Sequence, residues 1–304
     1  MKVKRCSLPD FRKKFCTQED CLLYLSDSKW GLGYHCRKCN HDKYKKGNMY
    51  FHRRCTSCGY SESPTAQTIF HSIKIPLVIA FEMAYRISVS KSGISSVELC
   101  REYDLNLKTT YNFKRKIQLL MKSSETNPLN GTIHVDEFVF GGEEKGCQGR
   151  SSKSEKLKIC VAVEIVQDKK GNTTMGRAYA QSIDNYSTIE LEKIFETHID
   201  KDAHIVTDKW KGYAPLAKFY DLKQILSNKG GNFPNLHILI MNMKSWMRGT
   251  HHHISLNHVQ QYLNEFCFRF NRRNWMKNMP IFVLQRIEES SPKPVKLTKG
   301  GFYG

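Results

Sequence analysis

The 304-residue sequence has no long apolar run, no internal repeat and few acidic residues. Its longest apolar stretch, IPLVIAFEMAYRISV, is broken by Glu82 and Arg86 and falls short of the ~20 residues that cross a bilayer. A membrane partner is therefore not expected. The opening segment, MKVKRCSLPDFRKKF, is charged without an apolar core, so it does not read as a secretory signal. Acid is scarce: 29 Asp and Glu face 48 Lys and Arg, a net charge of +19. So large an excess excludes an acidic or neutral surface and expects a polyanion, which in the absence of a membrane segment means nucleic acid.

Cysteine, by contrast, is plentiful and unevenly placed. Seven of the eleven lie in the first sixty residues. Without a secretory signal they point to a reducing compartment, where paired cysteines hold metal rather than each other; with a nucleic-acid partner, the expected location is cytoplasmic and nucleoid-associated. Cys36-x-x-Cys39 and Cys55-x-x-Cys58 stand fifteen residues apart. Each such knuckle offers two thiolates to one tetrahedral Zn²⁺, and in so small a region the metal supplies folding energy that a core cannot. His35 is read as a surface residue, and Cys16 and Cys21 as packing a neighbouring helix. Residues 1–60 carry a net +9, and Lys43, Lys45, Lys46, Arg53 and Arg54 are the expected phosphate contacts.

Turn and helix signals divide the chain. Residues 10–26 have helical spacing, with Thr17 opening a T-Q-E-D cap. Three helices are expected over 76–122. The last two, in GISSVELCREYDLNLKTTYNFKRKI, have helix-turn-helix form, and Lys108, Thr110, Lys114 and Arg115 would reach base edges and phosphates from the second helix. The polar stretch SSETNPLNG is the expected domain boundary. Beyond it GTIHVDEFVFGG, KLKICVAVEIV and MGRAYAQSI read as strands. STIELEKIFETHI reads as a helix with a Ser187/Glu190 capping box, AHIVTD as a fourth strand, and helices follow near 213–220, 236–247 and 256–271. Three strands, a helix, a strand and then helices is the order of an α/β, RNase H-like mixed sheet flanked by helices. The expected organisation is a short helix and zinc ribbon (1–62), a helix-turn-helix region (63–122), an RNase H-like domain (130–285) and a basic tail (286–304).

In HVDEFVFGG the side chains alternate, so His134, Asp136 and Phe138 share one face and Val135 and Glu137 the other. Asp208 ends the apolar strand AHIVTD. Carboxylates are hard ligands suited to Mg²⁺, and two such ions would activate an attacking oxygen and stabilise a leaving one; an Asp alone on a strand is otherwise a structural residue or a turn cap.

The segments FCTQEDCLLYL, CRKC…CTSC, QTIFHSIKIPL, SKSGISSVELCREYDLNLKTTY, HVDEFVFGG, TDKWKGY, KSWMRGTHHHIS and YLNEFCFRFNRRN together resemble the insertion-sequence transposases that join a zinc ribbon to an ISXO-like DDE catalytic domain. The resemblance covers about residues 15–275. It implies that Asp136 and Asp208 are the first two catalytic acids and that Mg²⁺ or Mn²⁺ is the catalytic cofactor. The implied partners are double-stranded DNA, as transposon ends and target, and further copies of the chain in a homo-oligomer. The family has a Glu seven residues before a Lys that precedes a G-T-aromatic-H-H segment. Here the count back from Lys244 lands on His237. Seven residues are nearly two helical turns, so His237 shares a face with Lys244 while Asn242 points away. Imidazole suits Mn²⁺ better than Mg²⁺, and it could also hold a metal-bound water or act as a general base. Glu265 is the alternative third acid. Lys244 and Arg248, one turn apart, would hold the phosphates of the DNA end. His251, His252 and His253 read as a loop touching DNA backbone. Phe268 and Phe270, interleaved with Arg269, Arg272 and Arg273, read as core.

The function these features imply is a transposase that binds its element's terminal inverted repeats and carries out metal-dependent strand cleavage and transfer. The alternatives are a catalytically decayed transposase and a regulator that uses only the ribbon and the helix-turn-helix.

Overall fold

The computed structural model describes residues 7–90, 92–122, 127–141, 156–250, 254, 258–280, 283–284 and 286. The chain forms two compact units. One comprises the described residues up to Leu120 together with those from Asn274 onward, and the other runs Met121–Arg273. The His251–His253 loop and the basic tail beyond residue 286 lie outside the described residues.

The first unit opens with α1 (Leu8–Lys14) and α2 (Gln18–Trp30). The T-Q-E-D run closes a reciprocal cap: Asp20 N–H donates to Thr17 Oγ1 at 3.2 Å and Thr17 N–H to Asp20 Oδ2 at 2.8 Å, satisfying two amides that the helix start leaves orphaned. A small antiparallel sheet follows, β1 (Tyr44–Lys46), β2 (Arg53–Cys55) and β3 (Ser61–Glu62) in that order. Then come α3 (Leu77–Val89), α4 (Ser96–Glu102) and α5 (Leu107–Leu120). Phe15 and Phe70 pack on Phe81 of α3 with ring centres 4.9 and 4.7 Å away. The two charges that interrupt the apolar run of α3 have partners: Glu82 binds Arg12 of α1 at 2.6 Å, and Arg86 binds Glu102 of α4 at 3.0 Å.

The second unit is built on a five-stranded sheet ordered β6-β5-β4-β7-β8, from β4 (Thr132–Phe140), β5 (Leu157–Gln167), β6 (Thr173–Ile183), β7 (His204–Thr207) and β8 (Asp221–Gln224). The β4–β5 and β5–β6 pairs are antiparallel, while β4–β7 and β7–β8 are parallel. This mixed sheet with flanking helices is the expected RNase H-like α/β arrangement. β5 is buried almost continuously from Leu157 to Glu164, which is why its sequence reads as an unbroken apolar run rather than an alternation. α6 (Thr188–His198), α7 (Pro234–Thr250) and α8 (Val259–Asn271) complete the unit. α8 packs on β6 and covers its outer edge. Gln260 accepts from Ser182 N–H at 2.8 Å, and Asn271 accepts from Ala178 N–H at 2.7 Å, so side-chain amides replace a missing strand.

Three local expectations change. Ser187 precedes α6 but makes no side-chain cap, and the Glu190 carboxylate accepts instead from Asp184 N–H at 3.0 Å. The helix expected over 213–220 is a short 3₁₀ turn at Ala214–Lys218. The edge strand β8, only four residues of alternating exposure, is too short to register as a pattern.

Candidate metal centre and active site

In the ribbon the sulfurs of Cys36, Cys39, Cys55 and Cys58 all lie within 4.8 Å of one another. Cys36 Sγ is 3.5 Å from Cys58 Sγ, and Cys39 Sγ is 3.6 Å from Cys55 Sγ. A disulfide would need about 2.0 Å, whereas a zinc tetrahedron with 2.3 Å bonds has edges of about 3.8 Å. The two knuckles share one backbone device. Asn40 N–H returns to Cys36 O at 2.6 Å and Gly59 N–H to Cys55 O at 3.1 Å, with Asn40 at φ 59° and Gly59 at φ 72°, a region that Asn and Gly tolerate best. The four-thiolate cluster therefore fits a structural zinc ion. His35 and Cys16 are exposed, whereas Cys21 is buried; packing of the helix holds for Cys21 alone.

Lys43, Lys45, Lys46 and Arg54 are exposed on this ribbon. Arg54 also donates to Gly59 O at 3.2 Å, bracing the second knuckle. Arg53 is half-buried, its guanidinium 4.6 Å from the Trp30 ring centre and 4.2 Å from that of Tyr44. Its first duty is thus to hold the ribbon's aromatic core together.

The helix-turn-helix expectation needs correction at three of its four named residues. α4 and α5 are joined by a short turn with Asp104 at φ 50°, and Lys108 is exposed. Thr110, Lys114 and Arg115, however, are buried, at 0%, 4% and 2% exposure. Thr110 and Lys114 fall on the stripe of Phe113, Ile117 and Gln118 that α5 turns inward, and Arg115 lies beside it. Thr110 Oγ1 donates to Asn106 O, and the Arg115 guanidinium donates to Tyr111 Oη and Gln118 Oε1. They do not present themselves to a ligand.

In the second unit, α7 lies along β4 and matches it residue by residue. Phe233, just before the helix, meets His134 edge-on with ring centres 5.2 Å apart. His237 Nε2 stands 3.6 Å from Asp136 Oδ2. Lys244 Nζ lies 5.2 Å from the Phe138 ring centre, and Arg248 lies 5.8 Å from that of Phe140. The strand residues alternate and the helix residues are four, seven and four apart, the periodicities of a strand face and of one helix face. His134, Asp136, Phe138 and Phe140 thus share the face that α7 covers. Glu137 projects to the opposite face, where it is hydrogen-bonded to Tyr213; burial, with Cys160 and Glu137 adjacent, pushes that phenol well above its usual range.

β7 brings the second aspartate alongside. Its parallel register with β4 pairs His134 with Val206 and Val135 with Thr207. One step further sets Asp208 beside Asp136, and paired residues of parallel strands point the same way. Asp208 Oδ1 accepts from Trp210 N–H at 3.0 Å, and Gln224 of β8 donates to Asp208 O at 3.0 Å, so β8 fixes the strand end that carries the acid. Asn242 is exposed on the outer side of α7. Glu265 is fully buried in α8 and bound to Arg269 at 2.7 Å, and α8 packs on β6, at the far end of the sheet from β7 and β8. Its carboxylate is engaged by Arg269 there.

The donors of this cleft are compatible with a shared divalent cation, although among the described residues only the four cysteines form a close cluster of three or more ligand groups. The 3.6 Å between His237 Nε2 and Asp136 Oδ2 is too long for a good hydrogen bond. Two ligand atoms about 2.1 Å from one ion and 90–120° apart are separated by about 3.0–3.6 Å. The donor set of imidazole plus carboxylates suits Mn²⁺. Burial lowers the pKa of His134 below its ordinary 6.5, leaving its imidazole neutral beneath Phe233. Burial, reinforced by the charge of Arg248, also lowers that of Lys244. Phe233, Phe140 and Gly230, whose α-carbon lies against the His237 ring, are site residues that sequence reasoning missed. The period of four before His237 signals Phe233, and strand alternation past Phe138 signals Phe140; Gly230 left no pattern.

Among the described residues, no helix is long and apolar enough to cross a membrane. No curated protein matches the chain. Residues 128–271, from the strand of Asp136 to the end of α8, match the family model of the ISXO2-like transposase domain. Over these residues the chain carries an ISXO2-like transposase domain of RNase H-like fold, behind a four-cysteine cluster that fits a zinc ribbon.

Proposed function

We propose that the protein is an active DDE-type DNA transposase in which His237 stands at the third position of the metal site. The observation that carries this reading is the convergence of Asp136 and His237 under α7, with Asp208 on the neighbouring strand. Asp136, Asp208 and His237 would hold divalent cations, Mn²⁺ or Mg²⁺. When bound, such cations make water a nucleophile at neutral pH and stabilise the leaving oxygen. Water then attacks the phosphorus at the transposon end, the P–O3′ bond breaks, and a 3′-hydroxyl is freed to attack a target phosphodiester. Lys244 and Arg248, held over Phe138 and Phe140, orient the scissile strand's phosphates. The basic surface of Lys43, Lys45, Lys46, Arg54 and Lys108 supplies affinity for the terminal inverted repeats, with Arg53 contributing charge from within the ribbon. The first unit, which holds the ribbon (1–62) and the helical region (63–122), would supply binding and the second, Met121–Arg273, chemistry, and two or more copies would hold the paired ends.

A second reading comes from the imidazole itself: a copy that has lost its third carboxylate binds DNA without cutting it. One experiment separates the two. Duplex DNA carrying the inverted repeats that flank the gene is incubated with the full chain and Mn²⁺ or Mg²⁺. Nicking at the repeat end supports the transposase; tight binding with no nicking under either cation supports the decayed copy; neither binding nor nicking removes both.

A further inference from the structure

We infer that Gly230 is a positioning residue: the turn Ser227–Gly230 is the seat that holds the His237 imidazole at Asp136. Three consecutive residues of this turn, Asn228, Lys229 and Gly230, have φ of 49°, 52° and 89°. Asn tolerates this region but Lys rarely adopts it, so at Lys229 the backbone is held in this shape by its surroundings. Gly230 N–H donates to Ser227 O at 3.0 Å and lies 3.1 Å from Ser227 Oγ. The turn is linked without slack to the helix that carries the histidine, since Phe233 N–H donates to Gly230 O at 2.9 Å and His237 N–H to Phe233 O at 3.0 Å. Phe233 in turn rests on His134, two residues before Asp136.

Gly230 closes this seat. A β-carbon there would stand 2.8 Å from His237 Cε1, 2.9 Å from Nε2 and 3.0 Å from Cδ2, closer than carbon and nitrogen atoms tolerate. The imidazole is thus packed flat against a bare α-carbon on one side and faces the Asp136 carboxylate with Nε2. Any side chain at 230 would turn the ring and move Nε2, the atom that would share a cation with Asp136. The neighbouring Gly231 is different. Its φ of −61° is helical, and a β-carbon there would meet Asn228, not His237. The inference rests on the proposed role of His237 for its consequence, but not for its geometry.

The test uses the full chain with Gly230→Ala, His237→Ala, the double variant and Gly231→Ala as control. The ring resonance of His237, assigned by its loss in His237→Ala, reads the seat directly; Mn²⁺ affinity, from the free-Mn²⁺ electron paramagnetic resonance signal, reads its consequence. Gly230→Ala should shift the His237 resonance and weaken Mn²⁺ binding by about tenfold, as loss of a ligand's support does. In the His237→Ala background it should weaken binding no further, and the double variant should melt higher than Gly230→Ala because the collision is gone. Gly231→Ala should leave resonance and affinity unchanged. An unmoved His237 resonance in folded Gly230→Ala, fully additive losses of affinity, or a double variant no more stable than Gly230→Ala would each overturn the seat. A shifted resonance with Mn²⁺ affinity indifferent to His237→Ala would keep the seat and overturn the metal role on which its consequence rests.

Discussion

The ribbon of the first unit and the sheet of the second solve the same folding problem with opposite means. In the ribbon the buried cluster is Trp30, Tyr34, Cys36 and Cys55, with Tyr60 against it, so half of its buried members are themselves metal ligands. In the second unit an extended apolar cluster runs through all the long strands and α6, α7 and α8, and the proposed metal ligands Asp136, Asp208 and His237 lie at its margin. Metal in the ribbon is part of what makes the fold; metal in the sheet unit would act on a fold that already stands. Removing a ligand should therefore cost structure in one unit and chemistry in the other.

The largest effect expected is on the ribbon. Chelation, or Cys36→Ser with Cys58→Ser, should reduce zinc from one ion per chain to none and abolish amide protection over residues 34–62, because zinc binding and folding are one process at such sites. Hydrogen exchange should show the strands of the second unit still protected. If both units lost protection together, the contrast drawn here would fail. Next in size is a cavity in the sheet unit. Phe195 is fully buried and packs edge-on to Tyr220 at 5.2 Å, so Phe195→Ala should destabilise that unit by about 3–5 kcal/mol with zinc content unchanged. Smaller again, Thr17→Ala removes one side of the α2 cap and should cost the first unit about 1 kcal/mol, measured by denaturant melting.

The smallest effect is a pH dependence confined to the second unit. Burial lowers the folded pKa of His134, so the unfolded chain takes up its proton more readily than the folded one. The stability this group contributes is complete above its unfolded pKa near 6.5 and falls as pH drops through the folded value. Melting between pH 7.5 and 5 should show a loss that is flatter in His134→Phe, whereas protection in the ribbon should not respond to that substitution.

How much of this was legible in the sequence follows the same division. The ribbon's ligands were readable because knuckle spacing is a local, covalent pattern. The β4 face was readable because alternation places His134, Asp136 and Phe138 together whatever the rest of the chain does. His237 was reached through the family's seven-residue spacing before Lys244, with helical periodicity ranking it above Asn242; the two residues lie on the inner and outer sides of α7. Sequence reasoning went astray where polar residues are buried: Thr110, Lys114 and Arg115 looked like a DNA-reading face because hydrophilic residues are read as exposed, yet the inward stripe of α5 includes or adjoins them and hydrogen bonds offset the burial of Thr110 and Arg115. Gly230 was invisible because its role depends on a side chain seven residues ahead and on a left-handed turn that no spacing rule encodes.

The central claim is that the cleft of Asp136, Asp208 and His237 performs phosphodiester chemistry while the basic first unit performs recognition. Its most direct test measures nicking and end-binding together, on the inverted-repeat duplex with Mn²⁺, for the full chain and for Asp136→Asn, Asp208→Asn, His237→Ala and His237→Glu. Both Asn variants should bind the ends as tightly as the parent and cut nothing, since they remove cation charge and leave the phosphate contacts. His237→Ala should cut far more slowly, and His237→Glu should cut with a preference moved from Mn²⁺ towards Mg²⁺. Parent-level nicking by either Asn variant, or by His237→Ala, would contradict the account.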